Sequence, residues 1–185
     1  MSVSQPSQMI ERQLFFNVIR ERRPVRSYDP KIKISGEELT KTLRQATLPP
    51  STANLLPWRL LFIDSPELNQ KLLPIAFNQQ QVVEASAVIA VLGDLECYKL
   101  AEEIYGMAVD AGCMPAETAK SFVESYTCMY SSMQPEAIRQ KVYTDGGLVS
   151  MQVILVARAK DYDTVPIGGY DKQKFMEAFR ISEPA

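Results

Sequence analysis

Histidine is absent from this chain of 185 residues. That excludes Ser-His-Asp and Cys-His nucleophilic machinery, histidine-based metal sites and the usual general base near neutral pH. An enzyme built from such a chain calls for a group other than a side chain to carry the chemistry. Cysteine is scarce as well: Cys97, Cys113 and Cys128 form no CxxC and cannot all pair, so they read as buried small apolar residues. The start, Met-Ser-Val-Ser-Gln, lacks the basic and apolar regions of a signal peptide, which makes the cytoplasm the expected location. The longest apolar stretch, from Leu148 to Ala157, is interrupted by Ser150 and Gln152 and falls short of the roughly 20 residues a bilayer requires. A formal net charge of -2 supplies no general field for nucleic acid or anionic lipid. There is no GxGxxG and no Walker A sequence, so a Rossmann dinucleotide site and a P-loop are unsupported.

What is present is an ordinary globular composition, 46% hydrophobic and 23% charged, with no internal repeat and no linker. The spacing of Ile10, Leu14, Phe15, Val18 and Ile19 predicts an amphipathic helix from Met9, after a frayed polar start, and Pro24 stops it. Ser35-Gly36 begins a second helix, and Ser65-Pro66-Glu67 reads as an N-cap with proline at the first helical position. Between them Trp58 opens an apolar strand through Ile63, and Ala85 to Leu92 reads as a central strand. Helices are expected over Glu96 to Ala111, Pro115 to Met129, Pro135 to Ala159 and Asp171 to Phe179, and a last strand over Thr164 to Ile167. The second half of the long helix is apolar almost all round, which demands burial on every side; a homodimer with this helix near its interface meets that demand, as does a central helix inside one monomer. The fold class is therefore α+β, a small mixed sheet flanked by helices.

Four stretches are candidates for chemistry. Arg22, Arg23 and Arg26 concentrate positive charge at a helix end and suit phosphate or an electron-rich ring edge, though a solvated helix terminus also explains them. The loop Pro50-Ser51-Thr52-Ala53-Asn54 offers hydroxyl and amide partners, and ordinary turn-making explains it equally well. Asn78 and Gln81 share a face if that segment is helical, and their amides match the alternating donor and acceptor edge of a pyrimidine-like ring; a polar helix start is the plain reading. In Val165-Pro166-Ile167-Gly168-Gly169 two residues without Cβ let backbone N–H groups approach a flat ligand, or simply make a tight turn. Asp161 and Asp163 lack a third metal ligand and read as a solvated turn.

Taken in order, Arg22-Arg23-Pro24-Val25-Arg26, Pro50 to Asn54 with Pro57-Trp58, Asn78 to Gln81, and Val165 to Tyr170 resemble the nitroreductase family of FMN-dependent oxidoreductases, over about Arg20 to Arg180. The resemblance implies a single nitroreductase-like domain over 1–185 and a homodimer with FMN at the interface. It places Arg22 and Arg23 at the phosphate and ribityl side, counts Pro24 among the cofactor-binding residues, and puts Arg26 at the ring edge where a cation stabilises the reduced flavin. Asn78 and Gln81 would meet the pyrimidine edge, and Pro166, Ile167, Gly168 and Gly169 would line the other side with a backbone N–H near the reactive nitrogen. Pro50, Ser51, Thr52 and Asn54 would reach across from the second subunit. No catalytic side chain and no metal are implied. The reaction would be ping-pong, from NAD(P)H through FMN to a nitroaromatic or quinone.

The chain departs from the family pattern at Pro24, where relatives often have Ser, at Leu56, often Gln, and at Gly168, often Glu. Relatives also continue past a segment like Phe179 to Glu183 into a strand that reaches the partner, whereas this sequence stops at Ala185. Either a tail is missing, or FMN is held less tightly and the sheet lacks an edge strand. A flavin carrier or sensor without turnover, and a cofactor-free dimeric interaction protein, are the competing readings.

Overall fold

The computed structural model describes residues 6–181, with side chains from Leu14 onward. The described residues fall into two compact units, one built from 6–48, 62–89 and 151–181, the other from 49–61 and 90–150.

In the first unit helix α1 (Pro6–Glu21) begins at a proline, which loses nothing there because the first N–H of a helix has no partner anyway. Met1 to Gln5, expected to fray, lie outside the described residues, while Pro6 to Gln8 are helical. Among the described side chains of α1, Leu14 is 58% and Phe15 56% exposed, Phe16 and Ile19 are exposed beside them, and Val18 is half-buried. Helix α2 (Gly36–Ala46) starts where Ser35 Oγ accepts from the Glu38 N–H at 3.2 Å, and it buries Thr42, Leu43 and Ala46. Strand β1 (Trp58–Ile63), whose first four residues belong to the second unit, leads to α3 (Pro66–Ile75), capped by Ser65 Oγ accepting from the Leu68 N–H at 3.3 Å. One turn of helix, α4 (Gln81–Glu84), precedes strand β2 (Val88–Gly93), which passes into the second unit at Ala90 and pairs antiparallel with β1. The strand expected over Ala85 to Leu92 thus spans Val88–Gly93 and is one of two, with no third beside it among the described residues.

In the second unit a 3-10 turn at Cys97–Leu100 runs into α5 (Ala101–Asp110), followed by α6 (Ala116–Ser131) and by α7 (Pro135–Ala159), which passes into the first unit at Met151. Leu55, Cys97, Ala101, Tyr105, Ala119 and Tyr130 form its core; each such large apolar side chain contributes about 1.5–3 kcal/mol when buried. Along α7 the residues Val142, Asp145, Val149, Val153 and Ala157 are buried at three- and four-residue intervals. Burial on every side is not what the single chain provides, since Leu148 and Met151 are each 43% exposed. Helix α8 (Lys172–Phe179) completes the first unit: Asp171 accepts from the Lys174 N–H at 3.1 Å, and Arg180 closes it in the left-handed region at φ 54°. Among the described residues no helix is long and apolar enough to cross a membrane.

Two expectations need correction. Thr164 to Ile167 is not a strand: Thr164 makes one isolated parallel bridge to Pro24, and proline at both Pro24 and Pro166 removes the donors a ladder would need. Of the cysteines only Cys97 is buried, whereas Cys113 and Cys128 are exposed. Burial, with the Asp94 carboxylate adding to it, pushes the Cys97 thiol up to about 11, so it holds little reactive thiolate near neutrality. Ellman's reagent is therefore expected to label two thiols of the native protein quickly and the third only after unfolding; three thiols reacting together would contradict this burial.

Candidate functional site

Three of the four candidate stretches meet in the first unit. Helix α1 ends at Glu21, and the chain leaves it through Arg22 and Arg23 into the bridge at Pro24, where the Val25 N–H donates to Thr164 O at 3.3 Å. The arginine turn is thereby fixed at the entry to Val165-Pro166-Ile167-Gly168-Gly169. The Tyr28 hydroxyl donates to Val25 O at 2.7 Å, and the Tyr28 N–H to Glu84 Oε2 at 3.2 Å, which ties the same turn to the end of α4.

The glycine pair is held from the other side by the turn after α3. That turn reverses through two left-handed residues, Phe77 at φ 54° and Asn78 at φ 57°, with the Asn78 N–H returning to Leu73 O at 2.9 Å. Left-handed backbone costs a non-glycine residue about 1–2 kcal/mol, so this turn is maintained by its surroundings. Gln79 supplies the link: its Nε2 donates to Ala76 O at 3.0 Å and to Gly169 O at 2.8 Å. Gln81 Nε2 in turn donates to Gln79 Oε1 at 3.0 Å.

The condition under which Asn78 and Gln81 would share a helical face is not met: Asn78 sits in the left-handed turn, and α4 begins only at Gln81. The exposed Asn78 amide has no hydrogen-bond partner among the described residues, while that of Gln81 is partly engaged. The guanidinium groups of Arg22 and Arg26 make no ion pair or hydrogen bond among the described residues. Arg23 Nη1 turns back onto Arg20 O and onto Arg22 O, the latter at 2.8 Å, leaving Nη2 and Nε uncommitted. A Cβ built at Gly168 would meet nothing within 4 Å. Unpaired cations, an unpaired amide and an open glycine together suit a flat, anionic ligand with hydrogen-bonding edges.

The fourth stretch belongs to the second unit, where most of its polar groups serve the loop itself. Pro50 is exposed and leads into a tight turn at Thr52–Asn54, in which Ala53 at φ 54°, Asn54 at φ 51° and Leu56 at φ 46° are all left-handed. Thr52 is bound twice by Asp145 of α7, its N–H donating to Oδ2 at 2.9 Å and its hydroxyl to Oδ1 at 3.2 Å. Ser51 Oγ accepts from the Leu56 N–H at 3.0 Å, and the Tyr105 hydroxyl donates to Ala53 O at 2.6 Å. The side chain of Asn54 is exposed, with no partner among the described residues. Sequence reasoning missed Asp145 and Gln79. Nothing local marks Asp145, whereas Gln79 stood in plain view inside a quoted motif.

A family comparison spans all four stretches. The model of the Nitroreductase family matches residues 19–185, and the chain belongs to that family. It is 47% identical over 176 residues to "Putative NAD(P)H nitroreductase YdgI" of Bacillus subtilis, covering 95% of this chain and 84% of that protein. Among solved structures it is similar to a "putative nitroreductase in complex with FMN" from Exiguobacterium sibiricum, 43% identical with a TM-score of 0.88, over 99% of this chain and 83% of that one. A "putative NAD(P)H:FMN oxidoreductase" from Staphylococcus epidermidis is 34% identical with a TM-score of 0.86, over 89% of this chain and 78% of that one.

Proposed function

We propose that this protein is a cytoplasmic, homodimeric, FMN-dependent oxidoreductase that takes a hydride from NAD(P)H and delivers it to a nitroaromatic or quinone in ping-pong order. The observation that carries this reading is the convergence of the arginine turn, the Asn78 turn and the glycine pair around Thr164 and Gln79 in one unit. FMN, when bound, supplies the hydride relay that a chain without histidine does not supply from its side chains. Arg22 takes the phosphate, joined by the free Nη2 and Nε of Arg23, since the five N–H donors of a guanidinium allow it to cap a helix and hold an anion together. Arg26 lies at the electron-rich edge of the ring, where its charge favours the reduced cofactor. Asn78 and the uncommitted atoms of Gln81 pair with the pyrimidine edge. Pro166, Ile167, Gly168 and Gly169 form the wall opposite, bringing backbone N–H groups close because no Cβ intervenes at the pair.

Dimer formation is supported by apolar surface that the single chain leaves uncovered, at Leu14, Phe15, Phe16 and Ile19 on α1 and at Leu148 and Met151 on α7. Asn54, exposed on a loop that is otherwise internally bonded, is the residue of that loop offered to the neighbouring subunit's cofactor. Acceptor breadth follows from a wall of backbone with few directional side chains.

The test is a visible absorption spectrum of the purified protein before and after adding FMN and desalting, followed by anaerobic addition of NADH or NADPH. A retained flavin spectrum that bleaches with either donor, and returns with menadione, is the expected result. Retention without bleaching identifies a carrier or sensor, and a protein that stays colourless identifies an interaction module. Arg26→Ala is expected to weaken FMN binding or slow reduction about tenfold, the factor equivalent to about 1.4 kcal/mol. Unchanged affinity together with an unchanged rate removes Arg26 from the site.

A further inference from the structure

Gln79 stands outside the groups assigned to the cofactor, yet it is the most heavily bonded side chain around them. The segment from Val165 to Tyr170 is anchored at its start by the Thr164 bridge, and at its end by the Asp171 N–H donating to Ile75 O at 2.9 Å. Between these anchors lie two glycines, the residues whose backbone has most freedom to lose. Neither is confined by steric contact. A Cβ at Gly168 would meet nothing within 4 Å, and one at Gly169 would reach only ordinary distances, 3.8 Å from Gln79 Nε2 and 3.9 Å from Phe77 Cδ2. Among the described residues, the one side chain that hydrogen-bonds the segment between its anchors is Gln79, through Gly169 O at 2.8 Å. That bond is aimed on three sides. The same Nε2 is shared with Ala76 O, Gln81 Nε2 fixes Gln79 Oε1, and the left-handed residues Phe77 and Asn78 set the direction from which the side chain departs. With Oε1 accepting from Gln81, the amide cannot flip without placing a donor against a donor and an acceptor against Gly169 O.

We propose that Gln79 is a positioning residue, whose amide holds the Gly168–Gly169 backbone against the turn that ends α3, so that the N–H groups of the pair keep one direction toward the cofactor. The inference rests on the proposed FMN site for its functional consequence, but the tether itself belongs to the protein alone. Its physical content is loop entropy: ordering the backbone of a glycine pair is unfavourable, and the Gln79 network offsets that before any ligand arrives. A reacting group displaced by about 1 Å loses on the order of a hundredfold in rate, so a loosened pair affects hydride transfer more than affinity.

The test uses Gln79→Met, which keeps the length of the side chain and removes its donors, and Gln79→Glu, which keeps the bond from Gln81 but turns an acceptor toward Gly169 O. In cofactor-free protein, exchange of the Asp171 N–H, which closes the segment on Ile75 O, is expected to accelerate at least tenfold in both variants, with helices α2 and α8 unchanged. In FMN-loaded protein, the reduction rate at saturating NAD(P)H is expected to fall at least tenfold, while the FMN dissociation constant changes less than threefold. Exchange of the Asp171 N–H at the wild-type rate in either folded variant overturns the tether. Faster exchange with an unchanged reduction rate overturns the positioning role. Wild-type protein that binds no flavin, or is not bleached by NAD(P)H, defeats the proposed function instead, and the exchange measurement still decides whether Gln79 holds the glycines.

Discussion

Asp145→Ala is expected to lower the melting temperature by about 10 °C, because it removes the buried carboxylate on which the Pro50 to Asn54 loop is hung. Asp145 is only 3% exposed and accepts two hydrogen bonds from Thr52, at 2.9 and 3.2 Å. Truncation leaves the half-buried Thr52 N–H and hydroxyl without their acceptor, at about 1–3 kcal/mol for each such group where water does not reach it. It also releases a loop with three left-handed non-glycine residues, a conformation that persists only where the surroundings over-determine it. A loss of roughly 3 kcal/mol corresponds to about 6–12 °C for a protein of this size. Asp145→Asn keeps one acceptor and should fall between the variant and the native protein. Tyr105→Phe, which removes only the bond to Ala53 O, should cost about 1 kcal/mol. A melting temperature for Asp145→Ala within about 2 °C of wild type, read by differential scanning calorimetry, would show that the loop does not depend on this carboxylate.

Gly93→Ala carries the second large effect. A Cβ at the end of β2 would collide with Val142 Cγ1, far inside the roughly 3.5–4.0 Å at which carbon atoms rest. Val142 is buried on α7 and β-branched, so in a helix it has essentially one rotamer and no easy way to turn aside. Overpacking of this kind costs about 1–3 kcal/mol. The double variant Gly93→Ala with Val142→Ala supplies the control. If the clash is the cause, the second substitution is less damaging in the Gly93→Ala background than in wild type, a coupling that a double-mutant cycle measures. Strictly additive losses would place the cause elsewhere.

Where the sequence was legible, the information was local. The Ser35 and Ser65 caps and the bounds of β1 and α7 all rest on residues within four positions of one another, and all are found as expected. The family was legible through four short stretches in a fixed order. The errors arose where a partner decides the outcome. Thr164 to Ile167 has strand-like composition, yet prolines at Pro24 and Pro166 leave a single bridge. Cys113 and Cys128 resemble Cys97 in type, but only Cys97 faces the core formed by Leu55, Tyr105 and Tyr130. Thr52 looked like a turn former because its partner, Asp145, is remote in sequence and surrounded by unremarkable helical residues. Whether Asn78 is helical stayed open in the sequence, because four polar residues in a row do not announce that the first will be left-handed.

The bridge between Pro24 and Thr164 also bears on how the chain is made. In the second unit α5 and α6 follow one another directly and can pack as soon as both have left the ribosome, which adds about 5–20 residues per second. Val25 has no such neighbour; its N–H waits for a carbonyl that is synthesised near the far end of the sequence. The arginine turn is thus among the first candidate groups to be translated and among the last to be fastened. Until Thr164 arrives, three cations and their backbone stay open to proteases and to any polyanion in the cell.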